Sequence, residues 1–269
     1  MPIGVFLILR EIIRDRIGIS FDDEKRELLA SKLSDRVHAR GLHSFLDYYY
    51  LLKYGADRDQ EWPHLTNALS VQETYFWREI DQIRVLVDVL LPQVIAANQG
   101  PIRIWSAACA TGEEPYTIAI ALAEAGYFDR ADISIWASDI STLAIERARA
   151  GKFRERSLRA LPAALRAKYF NLQGDDWILA SKLQNHVQFV RANLLEPSEL
   201  TMLAMARFIF CRNVFIYFSA PTISRVIGAL SERMPHPGYL FVGASESLMR
   251  IKSDFVLQEV DGAFVYLRS

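Results

Sequence analysis

The chain has 269 residues, enough for one large domain or two modest ones, and 51% of them are hydrophobic, enough for a packed core. A formal net charge of −1 argues against a general nucleic-acid binder, which needs a basic surface. Cys109 and Cys211 form no CxxC pair and the five histidines show no ligand spacing, so neither a disulfide framework nor a metal centre is expected, and a reduced, cytoplasmic setting is.

The opening "MPIGVFLILREIIRDR" holds an apolar run of only about seven residues, too short for a membrane span and without a basic lead or cleavage site. It reads as an amphipathic helix or a lead-in. In "DDEKRELLASKLSDRVHARG", Leu29, Leu33 and Val37 recur at i, i+4, i+8, and Gly41 marks the stop of a helix. "SFLDYYYLLKYG", "EWPHLTNALS" and "DQIRVLVDVLLPQVIAAN" read as three more helices, and "NQGP" as a boundary loop. Beyond it the pattern changes. "IRIWSA", "ISIWAS", "VQFVRA", "RFIFC" and "GYLFVGA" are short apolar runs, several followed by helical segments, which argues an α/β domain with a mostly parallel sheet. Residues 152–186 form an insert with a helix ("SLRALPAALRAKYF") and a small β element ("DDWILASKLQN"). The tail "DFVLQEVDGAFVYLRS" places Asp261-Gly262, a hairpin turn pair, between two strands, so the sheet should end antiparallel.

The loop after the first strand, "ACATGEEP", stands where such folds hold nucleotides, at the carboxyl end of a strand. It has one glycine, and Glu113 and Glu114 would repel a phosphate. They suit a ligand with an amino group, hydroxyls and a positive centre, such as S-adenosylmethionine. Thr111 and Glu114 also match a capping box, and both readings stand. Asp139 ends the second strand, 27 residues after Gly112, where an acid commonly holds a ribose diol, or where it simply caps the next helix. A nicotinamide dehydrogenase is disfavoured by the missing G-x-G-x-x-G.

"WSAACATGEEPYTIAIAL", "ASDISTLAIERARAGKF", "ANLLEP", "IFCRNVFIYF", "ALSVQETYFWRE" and "GYLFVGASESL" together resemble the CheR chemotaxis receptor methyltransferases, from about residue 15 to the end. The resemblance implies an all-helical N-terminal domain (1–80) facing a receptor. It also implies a Rossmann-like class I S-adenosylmethionine methyltransferase domain (81–269), with 81–100 as linker helix and 152–186 as a small inserted β-subdomain. The family methylates glutamate side chains of receptors, leaving S-adenosylhomocysteine as product. Carried over by motif, Thr74 and Arg78 would face the cofactor, Glu114 would meet the methionine amino group and Asp139 the ribose. Asn193 and Leu194 would border the adenine, and Arg212 and Asn213 the methionine end. Arg78 and Tyr217 match positions that touch the substrate carboxylate. Gln72 stands where the family usually has Asn, which makes it a departure among the cofactor ligands. Glu113 is left to the helix dipole alone. The insert is about four residues shorter than in members that grip a receptor's C-terminal pentapeptide, which favours recruitment without one.

A glutamate nucleophile is already ionised at neutral pH, with a pKa of about 4.3, so no general base is required. On the helix at 22–40, spaced at about 100° per residue, Lys25, Arg26, Lys32, Arg36 and Arg40 share one arc, with Glu24, Glu27 and Asp35 opposite. That arc is either a solvated helix face or, given the resemblance, a basic edge for the acidic signalling domain of a methyl-accepting receptor. A monomer without direct membrane insertion is expected. The alternatives are the same chemistry on a surface-sensing or biofilm receptor, and a non-catalytic S-adenosylmethionine-binding regulator.

Overall fold

The computed structural model describes residues 1–97 and 100–268. The expected boundary loop "NQGP" includes residues 98 and 99, which lie outside the described residues. The chain begins with helices α1 (Ile3–Ile17), α2 (Arg26–Ala39), α3 (Phe45–Tyr54) and α4 (Arg58–Leu69). Each turns one apolar stripe inward: Phe6, Leu9, Ile13 and Ile17; Leu29, Leu33 and Val37; Tyr48 and Leu52; Trp62, Leu65 and Leu69. The 3.6-residue period of the sequence thus becomes a shared core. Beneath it lies a buried carboxylate. Glu61 accepts two hydrogen bonds from Arg36 (2.8 and 2.7 Å) and one from the Tyr48 hydroxyl (2.7 Å).

The fourth helix expected from sequence is broken into α5 (Ile80–Val85) and α6 (Leu91–Ala96), joined by a wider turn over Leu86–Leu90 in which the Leu91 amide reaches back to Leu86. Pro92 has no N–H to give to Asp88, and a wide turn accommodates that missing donor. There follow β1 (Ile102–Ala107), α7 (Glu113–Glu124), β2 (Ile133–Asp139), α8 (Thr142–Ala150), β3 (Lys152–Phe153), α9 (Ala163–Tyr169), β4 (Phe170–Gln173), β5 (Asp176–Leu179), α10 (Ser181–Gln184), β6 (Val187–Arg191), α11 (Pro197–Leu200), β7 (Phe208–Cys211), α12 (Ala220–Ser231), β8 (Gly238–Phe241), β9 (Phe255–Val260) and β10 (Ala263–Arg268).

The main sheet has the order β6-β2-β1-β7-β8-β10-β9; its first five strands are parallel and β10 is antiparallel to both neighbours. The fold is therefore a Rossmann-like α/β domain behind an all-helical one. Central strands are apolar on both faces. Ile104, Phe208, Phe210, Tyr239 and Phe241 enter one core, and Trp105, Ile209, Cys211 and Leu240 enter the other. Asp261 and Gly262 both have positive φ (46° and 79°), as the tight turn between β9 and β10 requires.

The insert is a three-stranded antiparallel sheet, β3-β5-β4. The single long helix expected over 157–170 is shorter, because Pro162 precedes α9 and the chain before it forms a tight turn at Glu155–Leu158. The bonds that dock the helical part on the sheet part include Asn193 Nδ2 to the Arg16 carbonyl (2.8 Å), the Ser20 amide to the Tyr217 carbonyl (2.8 Å), Ser141 Oγ to Asn67 Oδ1 (2.7 Å) and Asn67 Nδ2 to Thr142 Oγ1 (3.4 Å). Among the described residues no helix is long and apolar enough to cross a membrane.

Candidate active site

The β1–α7 loop shows how one glycine suffices. Ala108 (φ 55°), Ala110 (φ 47°) and Gly112 (φ 95°) all take left-handed backbone. Alanine pays roughly 1–2 kcal/mol for that conformation, so the loop is strained where a nucleotide loop would use glycine. It is held by the Cys109 amide on the Ser138 carbonyl (2.9 Å) and the Ala110 amide on Asp139 Oδ2 (2.9 Å). At position 112 glycine is obligatory, since a Cβ would lie 2.9 Å from that of Ala148 on α8. Trp77, Glu79 and Asn213, nearby, are also left-handed. Strain of this kind gathers at sites whose surroundings over-determine them.

Gly112, not Thr111, is the residue before α7, and no side chain caps the helix. The capping box is therefore absent. Thr111 instead donates to Glu113 Oε2 (2.7 Å), and Ser157 of the insert donates to Glu113 Oε1 (2.9 Å). Glu113 is buried, with 2% exposure, so it is a strut between α7 and the insert rather than a free charge for the helix dipole. Burial holds its carboxyl above the usual range.

Two adjoining cavities lie at the carboxyl ends of β1, β2, β6 and β7. The first, about 150 Å³, is lined by Thr74, Arg78, Glu114, Arg212, Asn213 and Tyr217, among others. The second, about 200 Å³, is lined by Asp139, Ile140, Asn193 and Leu194 and by Ile17, Phe21, Leu28 and two lysines from the helical part. They share Val71, Ala108, Asn213 and Tyr217. Eight of the nine cofactor candidates thus stand along one trough, together with Tyr217.

Gln72 does not. Its amide accepts from Arg147 (3.0 Å) and reaches Ser141 Oγ (3.5 Å), and it lines neither cavity. The extra methylene carries the amide on to α8. The basic edge on α2 is corrected as well. Arg36 is engaged with Glu61, Arg40 pairs with Asp57 (2.9 Å), and Lys32 donates to the Ala68 carbonyl (3.3 Å). Of the five, only Lys25 is exposed, whereas Glu24, Glu27 and Asp35 all face solvent. Arg36, Arg40 and Lys32 turn inward because Glu61, Asp57 and the end of α4 draw them, while Lys25 stays exposed and Arg26 is half-buried.

In the polar cavity Glu114 accepts from Ser106 Oγ (2.6 Å) and lies 3.4 Å from Arg212. Burial raises its pKa; the Arg212 charge opposes this without cancelling it. Arg212 donates to the Arg78 carbonyl (2.7 Å) and lies 3.3 Å from Glu79, yet its buried Nε has no partner. A carboxylate beside an arginine with a free donor matches an amino-acid zwitterion. Asp139 accepts from the Ala110 and Ser141 amides (2.9 Å each), one per oxygen, so each oxygen keeps acceptor capacity for a hydroxyl. Burial holds Asp139 above the usual carboxylate range. Ile140, Leu194, Ile17 and Phe21 then offer apolar walls to a flat ring. The Asn193 side chain is already bonded, to Arg16 and to the Leu195 amide (3.0 Å), and serves the wall by shape. These residues fit S-adenosylmethionine from end to end.

Sequence reasoning missed Glu79 and Glu246. Glu79 lies against Asn213 Nδ2 (3.3 Å), the Ala244 amide (3.1 Å) and Arg212. Glu246 sits in the quoted "GASESL", which was the available signal. Both cysteines are free and buried, and burial keeps their thiols protonated.

Comparison with known proteins agrees with this geometry. Residues 72–263 match the family model described as CheR methyltransferase, SAM binding domain, and residues 5–70 the one described as CheR methyltransferase, all-alpha domain. The chain is 36% identical over 253 residues to Chemotaxis protein methyltransferase 2 of Vibrio cholerae, covering 93% of this chain and 88% of that one. It is 37% identical over 251 residues to Chemotaxis protein methyltransferase 2 of Pseudomonas aeruginosa (91% and 86%). It is 34% identical over 258 residues to Chemotaxis protein methyltransferase of Klebsiella aerogenes (94% and 86%). The chain belongs to the CheR methyltransferase family and is a methyltransferase whose cofactor is S-adenosylmethionine.

Proposed function

We propose that the chain methylates glutamate side chains in the cytoplasmic signalling domain of a chemotaxis-type receptor, giving γ-methyl esters. The observation that carries this is the lining of the polar cavity, which has two arginines, two tyrosines and two glutamates already engaged (Glu73 by Arg156 and Arg159, Glu114 by Ser106 and Arg212) and no histidine or lysine. Such a lining suits a nucleophile that is already an anion. Bound S-adenosylmethionine supplies a methyl group activated by its sulfonium. The chain's part is to hold a carboxylate in line and exclude water.

Arg78 is the clamp in this reading. It donates through Nη1 to the Glu73 carbonyl (3.1 Å), stacks over Tyr75 (5.7 Å) and has Nε 3.8 Å from Glu79, which leaves Nη2 for a substrate carboxylate. A partial grip of this kind steers the anion without quenching it. Tyr217 offers a phenol that is neutral at physiological pH already, with an ordinary pKa of about 10, and burial moves it further up against the pull of Arg78. Thr74 and Asn213 complete the wall. Lys25, which lines the second cavity and is exposed, is the cation of that edge open to an acidic receptor helix. A labelled methyl group should pass from the cofactor to a receptor signalling fragment and be released by alkali. A label that survives alkali would rule out the ester.

A further inference from the structure

Glu246 stands behind the trough, accepts three backbone amides and lines neither of its two cavities, and neither cofactor nor substrate has been given to it. Its Oε2 accepts from the Gly243 amide (2.7 Å) and the Asn213 amide (2.8 Å), and its Oε1 from the Ile216 amide (3.2 Å). Charge-assisted bonds of this kind are stronger than neutral ones. They tie the turn after β8 to the turn after β7. Asn213 is held there at φ 58°, which a non-glycine residue keeps only when its neighbours enforce it. Gly243 must be glycine for the same contact, because a Cβ would lie 2.4 Å from Asn213 Nδ2 and 2.9 Å from Glu246 Oε2. The tied segment is the one that carries Asn213 and Tyr217 into the trough, in the single helical turn Phe215–Tyr217.

We infer that Glu246 is a positioning residue for methyl transfer: its carboxylate sets the β7 turn, and through it the Tyr217 ring, without touching cofactor or substrate. The inference rests on the proposed glutamate methylation for its kinetic arm only. Glu246→Gln is the informative change. An amide can keep its oxygen toward Asn213 and Gly243, but its NH₂ then faces the Ile216 N–H and that bond is lost. The cofactor wall is retained and the Tyr217 turn is released.

The experiment combines three readouts on wild type, Glu246→Gln and Glu246→Asp: amide and Tyr ring resonances by NMR, S-adenosylhomocysteine affinity by calorimetry, and kcat on a receptor fragment. In Glu246→Gln the Ile216 amide should move upfield and the Tyr217 ring should shift. Product affinity should stay within about threefold, while kcat falls by roughly ten- to a hundredfold, the cost expected of a misplacement near 1 Å. Glu246→Asp, which keeps the charge, should recover part of the rate. An unmoved Ile216 amide, an unmoved Tyr217 ring, or an unchanged kcat would each overturn the inference. If the wild-type chain labels no receptor glutamate, the glutamate reading fails, and the two resonances alone decide the role of Glu246.

Discussion

At the residue scale, the site is built from acids whose charged form the fold disfavours. Burial raises the pKa values of Glu113, Glu114 and Asp139. A carboxyl raised on folding contributes stability below its unfolded value, and that contribution is lost as pH rises through the folded value. The free protein should therefore lose stability across that window, which starts near the ordinary carboxylate range of about 4 and extends upward. A cofactor ammonium beside Glu114 favours the ionised form. The rise in melting temperature given by S-adenosylhomocysteine should thus grow as pH increases through the window, measured as thermal shifts at a series of pH values. A constant shift would contradict the pairing, and Glu114→Gln should flatten it. Asp139→Ala removes both the ribose acceptor and the anchor of Ala110, so product affinity should fall at least about a hundredfold by calorimetry, the loss of two charge-assisted bonds. Unchanged affinity would remove the ribose assignment.

At the element scale, close approach of α7 to α8 depends on one hydrogen atom. Gly112→Ala adds left-handed strain and a 2.9 Å contact with Ala148, and should cost about 2–4 kcal/mol in denaturant unfolding. Gly174→Ala, at φ 61° in open space, is the control and should cost about 1 kcal/mol from backbone alone. Strands and helices were legible in the sequence because period-2 and period-3.6 patterns are local. Phe208 and Ile209 face opposite cores just as alternation requires. The left-handed alanines were not legible, since nothing in an alanine announces positive φ. Nor was the burial of Glu113, whose partner Ser157 is 44 residues away in the insert. The trough residues Glu114, Asp139, Leu194 and Arg212 were reached through strand ends and motif; Glu246 was not, because its role lies in amides that a sequence does not display.

At the scale of the whole molecule, the basic residues of the helical part differ in how the fold engages them. Arg36 neutralises Glu61, whose side chain is fully buried, and Arg40 stands 3.8 Å from the same carboxylate. Removing Arg36 leaves a buried carboxylate with the Tyr48 hydroxyl and the longer Arg40 contact as its remaining support. Arg36→Met should therefore destabilise the helical domain by about 3–5 kcal/mol, while the KM for receptor in whatever fraction remains folded stays the same. Lys25 differs in kind. It is exposed, its pairing with Asp22 (3.2 Å) is on the surface and worth little, and it stands at the trough's mouth. Lys25→Glu should leave the unfolding midpoint within about 0.5 kcal/mol of wild type. Against an acidic receptor fragment its effect should be on encounter, with KM raised several-fold at low salt. The difference should shrink above physiological ionic strength, where the screening length falls below about 8 Å. Methylation assays at two salt concentrations, set beside denaturant curves for both variants, separate the roles. A salt-independent KM defect in Lys25→Glu would mean that the lysine serves the cavity wall rather than the partner.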